Sequence, residues 1–153
     1  GDAGHVHLCP HGATPTPAAL AAAKALLAGV LGDAVQISAA PAVVYGQEDT
    51  VPRPPPGTTL QMLLADLGAT PEDDTHGRLL QAMHQAAPGL PLAVLVDEAA
   101  FATRFASMPQ RLAERRSAWQ RWAAAQGTRL LLADLSQPLT PGALSALQAV
   151  LEP

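Results

Sequence analysis

The sequence predicts an α/β fold of the open, doubly wound kind, a mostly parallel sheet of about four to five strands with helices on both faces. Three observations carry that expectation. The run from Leu92 to Val96 is apolar without interruption and ends on Asp97 and Glu98, the pattern of a strand buried on both faces of a parallel sheet. Segments that read as strands alternate with segments that read as helices, which implies right-handed crossovers. The 153 residues suffice for one core, burying about two thirds of the unfolded surface, so 1–153 reads as a single domain. A flavodoxin-like or P-loop-like strand order is expected, with the first strand central.

The elements follow in chain order. Gly4 to Cys9 alternates histidine with apolar residues and is closed by Pro10 and Gly12, which predicts a first strand and a loop. Thr16 before Pro17 gives an N-cap and a proline at the first helical position, and the helix continues to Gly32. Ala34 to Ala39 and Ala42 to Tyr45 are both β-like, separated by Pro41. Residues 47–57, with Pro52, Pro54, Pro55 and Pro56, form a proline-rich extended connector. Thr58 or Thr59 then caps a helix through Leu67, and Asp73 or Asp74 starts another through Ala87. Pro109 opens a long helix ending at Gly127, Arg129 to Leu132 is the last buried strand, and Thr140-Pro141 caps a closing helix through Leu151.

Composition narrows the function classes. The charged fraction is 14%, against about 25% in typical domains. Aromatic residues are confined to Tyr45, Phe101, Phe105, Trp119 and Trp122, so the core is built from small aliphatic side chains that let helices pack close to a sheet. A net charge of -4 argues against the broad basic surface that nucleic-acid binding requires. The charge is unevenly spread: six arginines lie between Arg104 and Arg129 against the single acid Glu114. Cys9 is the only cysteine, so no intramolecular disulfide forms, and Lys24 is the only lysine. No run reaches the roughly 20 apolar residues of a membrane helix. The chain opens Gly-Asp-Ala without methionine and reads as a soluble fragment of a larger protein.

The motifs favour binding over catalysis. Leu92 to Glu98 resembles a Walker B strand, but the loop after the first strand reads Cys9-Pro-His-Gly-Ala-Thr-Pro-Thr-Pro17, without the lysine and the amide cradle that hold phosphates. Nucleotide hydrolysis of that type is not expected. Asp97 and Glu98 remain candidates for a ligand at the strand ends, where open α/β sheets bind, or they cap the next helix. His5, His7 and Cys9 share one strand face, and His-x-His can span a metal, but no second cluster stands at a definite distance, and His76 and His84 carry no motif. No metal or cofactor is expected. Cys9 lacks a nucleophile turn, and no Gly-x-Ser-x-Gly or Gly-x-Gly-x-x-Gly occurs.

Arginine and tryptophan between Arg104 and Trp122 give the most distinctive stretch, because both residue types are enriched in interface hot spots. Arg104, Arg111, Arg115 and Trp122 are the candidate partner-binding residues. The plainer alternative packs Leu112 and Trp119 on the sheet, with the arginines solvated or paired to Asp97, Glu98 and Glu114. Pro52-Arg-Pro-Pro-Pro56 reads as a stiff connector, with a PxxP-like recognition segment as the alternative.

Val96-Asp-Glu-Ala-Ala-Phe101, Arg104-Phe105, Arg111-Leu-Ala-Glu-Arg-Arg-Ser-Ala-Trp119 and Ala133-Asp-Leu135 resemble the soluble part of an uncharacterised bacterial inner-membrane protein family encoded beside a GTPase of unknown role. The stretch covers under a third of the chain. It implies a cytoplasmic domain tethered to the inner membrane by segments outside this sequence, with a GTPase among the candidate protein partners, and it supplies no active site. The expected function is a non-catalytic interaction or regulatory domain. The alternative is a small-ligand or phosphate-binding domain, open to enzymatic use, at the carboxyl ends of the strands.

Overall fold

The computed structural model describes residues 4–12, 16–71 and 74–151. Five strands, β1 (His5–Pro10), β2 (Gln36–Ala39), β3 (Leu60–Asp66), β4 (Leu92–Asp97) and β5 (Arg129–Ala133), form one all-parallel sheet in the order β2-β1-β3-β4-β5. This is the flavodoxin-like order of a doubly wound fold. It places β3 in the middle and β1 one position from the edge, which corrects the expectation of a central first strand.

Five α-helices cover the sheet: α1 (Pro17–Leu31), α2 (Asp74–Ala86), α3 (Ala99–Arg104), α4 (Pro109–Gln126) and α5 (Pro141–Leu151). Successive side chains of a strand point to opposite faces, and the core divides accordingly. Leu8, Met62, Leu64, Leu95 and Leu131 pack with Leu27 of α1 and Leu147 of α5. On the other face Cys9, Leu63, Val94 and Val96 pack with Leu79 and Met83 of α2, Phe101 of α3 and Trp119 of α4. Each buried leucine contributes roughly 1.5–3 kcal/mol relative to exposure, so the two faces, rather than local propensity, hold the helices.

The helix ends follow the sequence. Thr16 Oγ1 accepts from the Ala19 amide at 3.2 Å and Thr140 Oγ1 from the Ala143 amide at 3.1 Å, each satisfying a first-turn donor. Gly127 ends α4 in the left-handed region at φ 66, where a side chain would be strained.

Two elements differ from expectation. Leu60–Asp66 is the central strand, not a helix capped by Thr58 or Thr59. Its sequence lacks alternation because both faces are buried, and its leucines, methionine and alanine are equally at home in a helix. Ala42–Tyr45 contributes only an isolated bridge between Val43 and His11, because Pro41 ends β2. The β2–β3 crossover is therefore built without an α-helix: it runs through a 3-10 turn, Glu48–Thr50, and the proline-rich 47–57 connector. Asp73 lies outside the described residues, and α2 begins at Asp74. Among the described residues no helix is long and apolar enough to cross a membrane.

Candidate functional site

Asp66 and Asp97 are register partners at the carboxyl ends of β3 and β4. With Thr16, Ala19, Ala99 and Ser136 they line a crevice of about 340 Å³ between the start of α1 and the start of α3. Both carboxylates are oriented by backbone. The Gly68 amide donates to Asp66 Oδ1 at 2.7 Å, and Asp97 Oδ1 accepts from Ala99 at 3.0 Å and Leu135 at 3.1 Å. Asp97 is thus a buried brace between β4, α3 and the segment after β5, besides lining the crevice. Burial raises the Asp66 pKa above its ordinary value, and the neighbouring Asp97 charge adds to the rise. No arginine lines this crevice, so its field suits a cationic ligand better than a phosphate.

Glu98 points away from it. Its two oxygens receive Arg116 Nε at 2.5 Å and Nη2 at 2.7 Å, a fork-to-fork pair of the kind only arginine makes. The carboxylate is buried while the guanidinium reaches the surface, and this bond, more than the nearby charge, raises the Arg116 pKa. Arg115, one residue earlier, turns inward. Its Nη1 donates to the carbonyls of Leu67 (3.1 Å), Gly68 (2.7 Å) and Ala69 (3.0 Å), and its guanidinium lies 5.2 Å from the centre of the Phe101 ring. It ties α4 to the loop that follows Asp66. Arg115, expected with Arg111 to hold a partner, makes these contacts to that loop.

Arg104 and Arg111 are the other half of the arginine segment. Arg104 ends α3, Arg111 sits in the first turn of α4, and the two guanidiniums lie 5.2 and 5.1 Å from the centre of one ring, Phe105. Phe105 is anchored by its tilted stack on Phe101, with centroids 4.6 Å apart. Both arginines are exposed, and among the described residues neither forms an ion pair. Beside them Met108 is 45% exposed, and a surface hollow of about 480 Å³ is lined by Ser107, Met108, Pro109, Gln110, Arg111 and Glu114. Trp122 stands apart from this corner, half-buried against Trp119 with centroids 5.3 Å apart. The six candidate residues therefore fall into separate places: Asp97 in the crevice, Glu98 and Arg115 in structural contacts, Trp122 in an aromatic stack, and Arg104 with Arg111 on the open corner.

The sequence names His5, His7 and His76 but does not show that His76 meets His11. His76 on α2 is fully buried against His11, their Nδ1 atoms 2.9 Å apart, so one ring donates and the other accepts. His76 also stacks on Trp119 at 5.0 Å, and Tyr45 covers His11 at 4.6 Å. The two imidazoles are 65 residues apart, and no local spacing announces their meeting. On β1, His5 Nε2 and His7 Nδ1 share the Ser38 hydroxyl at 2.6 and 2.7 Å. Burial, and secondarily the His5 charge, lowers the His7 pKa. Burial pushes the Cys9 thiol up to about 11, which leaves it protonated and unreactive at neutral pH. Among the described residues no three metal-ligating side chains converge. No protein-family model matches the chain, and no curated protein matches it.

Proposed function

We propose that this chain is a non-catalytic interaction or regulatory domain that holds a protein partner on the corner where α3 meets α4. The observation that carries the reading is the pair of exposed guanidiniums, Arg104 and Arg111, held over Phe105 without an ion-pair partner among the described residues. Arginine presented by an aromatic ring loses less rotamer freedom on binding than a free one, which is why such pairs serve at interfaces. The scaffold under the corner is rigid: Phe105 rests on Phe101, Arg115 ties α4 to the β3–α2 loop, and Arg116 clamps Glu98. In the setting that the sequence resemblance implies, the domain is tethered at the cytoplasmic side of the inner membrane and the GTPase encoded beside it is the partner. Co-elution of the purified GTPase with the full-length protein, lost in the Arg104→Glu, Arg111→Glu double variant, supports the reading; co-elution that ignores both substitutions refutes it.

A second reading rests on the strand-end crevice, where Asp66 and Asp97 stand abreast over an apolar floor. A cationic small ligand held there raises the melting temperature of the wild type and not of Asp66→Asn. A screen of divalent cations and polyamines by thermal shift tests it, and no shift with any of them removes it.

A further inference from the structure

The corner at Arg104 and Arg111 carries more chemistry than a charge pair, and that chemistry selects among anionic partners. Resting on the interaction reading above, we infer that the occupant is an acidic segment of a protein, one that alternates carboxylates with apolar side chains.

Four features point to it. First, the guanidiniums approach one ring from two elements, Arg104 from the end of α3 and Arg111 from the first turn of α4. Each keeps its planar donor fork for a carboxylate, a geometry that arginine offers and lysine does not. Second, Arg111 stands in the first turn of an 18-residue helix whose N-cap, Met108, supplies no side-chain hydrogen bond, so the positive end of that helix dipole adds to the guanidinium's field. Third, Met108 puts an exposed apolar, adaptable side chain beside the charges. A segment that pairs two carboxylates with the arginines can lay an apolar residue on Met108 and into the hollow next to it. Fourth, the corner is small and sits on a chain of net charge -4. Two guanidiniums and one hollow fit a short segment, whereas a nucleic acid or an anionic membrane requires a broad basic surface.

Glu114 sets the polarity of the site. It lies one turn after Arg111 on the rim of the hollow, exposed. The carboxylates of the bound segment therefore face Arg104 and Arg111, and the segment's neutral or basic end passes Glu114.

The test is fluorescence anisotropy with a dye-labelled peptide that alternates glutamate and leucine, added to the folded chain. Wild type binds it, more weakly as salt rises. Arg104→Glu with Arg111→Glu weakens binding by about tenfold or more. Arg104→Lys with Arg111→Lys, which keeps the charge and loses the fork, falls between. Glu114→Gln tightens binding by about two- to fivefold, a gain that misfolding cannot produce. Equal binding by wild type and the glutamate double variant, with both folded by circular dichroism, overturns the inference. So does displacement of the peptide by vesicles rich in anionic lipid or by single-stranded DNA at comparable concentration. If the GTPase is lost on the double substitution but the peptide does not bind, the interaction surface stands and its acidic-segment chemistry fails. If neither depends on the two arginines, both fail.

Discussion

Replacing Trp119 with alanine separates the residues of α4 that hold the fold from those that face outward. Trp119 is the largest fully buried side chain of the face that α2, α3 and α4 share. It meets the His76 ring at a tilt with centroids 5.0 Å apart and the Trp122 ring edge to face at 5.3 Å, and its indole N–H reaches the Leu67 carbonyl at 3.4 Å, a long bond of small value. Truncation removes the ring and leaves a cavity that α4, held by Arg115 and Arg116, closes only in part. That costs about 3–5 kcal/mol. The stacking lost with His76 and Trp122 adds about 0.5–1.5 kcal/mol each where the rings do not re-pack. A domain of this size is stable by about 5–15 kcal/mol, so the substitution takes a large share of it and lowers the melting midpoint by on the order of 10 °C. Urea unfolding followed by circular dichroism reads the change directly, and Trp119→Phe, which keeps a ring in the stack, is expected to recover most of it. A Trp119→Ala protein that melts within a degree or two of wild type would show that Trp119 does not hold α4 to the sheet, because the cavity would then have to be filled at no cost.

Further outcomes follow from other contacts. Arg115→Met keeps an apolar stem against Phe101 and strips three loop carbonyls of their shared donor, so it costs about 1–3 kcal/mol by urea unfolding and speeds amide exchange in the loop after Asp66. Gly12→Ala places a Cβ 2.5 Å from the Tyr45 ring at a backbone φ of +83, so it costs about 1–2 kcal/mol or more and displaces Tyr45, read as a rise in tyrosine accessibility. Acid lowers stability through His7. Its pKa in the fold lies below the unfolded value of 6.5, so the unfolded chain takes the proton first, and stability present above pH 6.5 falls as the pH drops toward the folded pKa. His7→Gln, compared with wild type by urea unfolding from neutral to mildly acidic pH, flattens that part of the curve.

Much of the fold is written in local signals. Thr16-Pro17 and Thr140-Pro141 mark helix starts, Gly127 marks a helix end, and the Leu92–Asp97 run marks a doubly buried strand. The central strand was obscured by the burial that makes it central. Leu60–Asp66 is only seven residues long and is followed closely by Gly68, a length more usual for a strand than for a helix, and length was the signal that pointed to a strand. The same limit governs the site. That arginine and tryptophan cluster between 104 and 122 is visible in sequence, but which arginine turns inward is not: Arg115 and Arg116 are adjacent, and the helix sends one to the β3–α2 loop and the other to Glu98. Contacts such as His11 with His76, and the two-sided approach of Arg104 and Arg111 to Phe105, belong to tertiary packing and have no spacing that announces them.

On the proposed reading Arg104 and Arg111 serve a partner and not the fold. Titration calorimetry of the protein against the proposed GTPase partner, on wild type and the Arg104→Glu, Arg111→Glu variant, tests this when read beside the melting midpoint of each. The expected result is an affinity weakened by about tenfold or more with a midpoint close to wild type, since exposed charges without buried partners contribute within about 0.5 kcal/mol to folding. An unchanged affinity contradicts it, as does a variant that melts as early as Trp119→Ala, which would place both arginines among the contacts that hold α3 and α4 together.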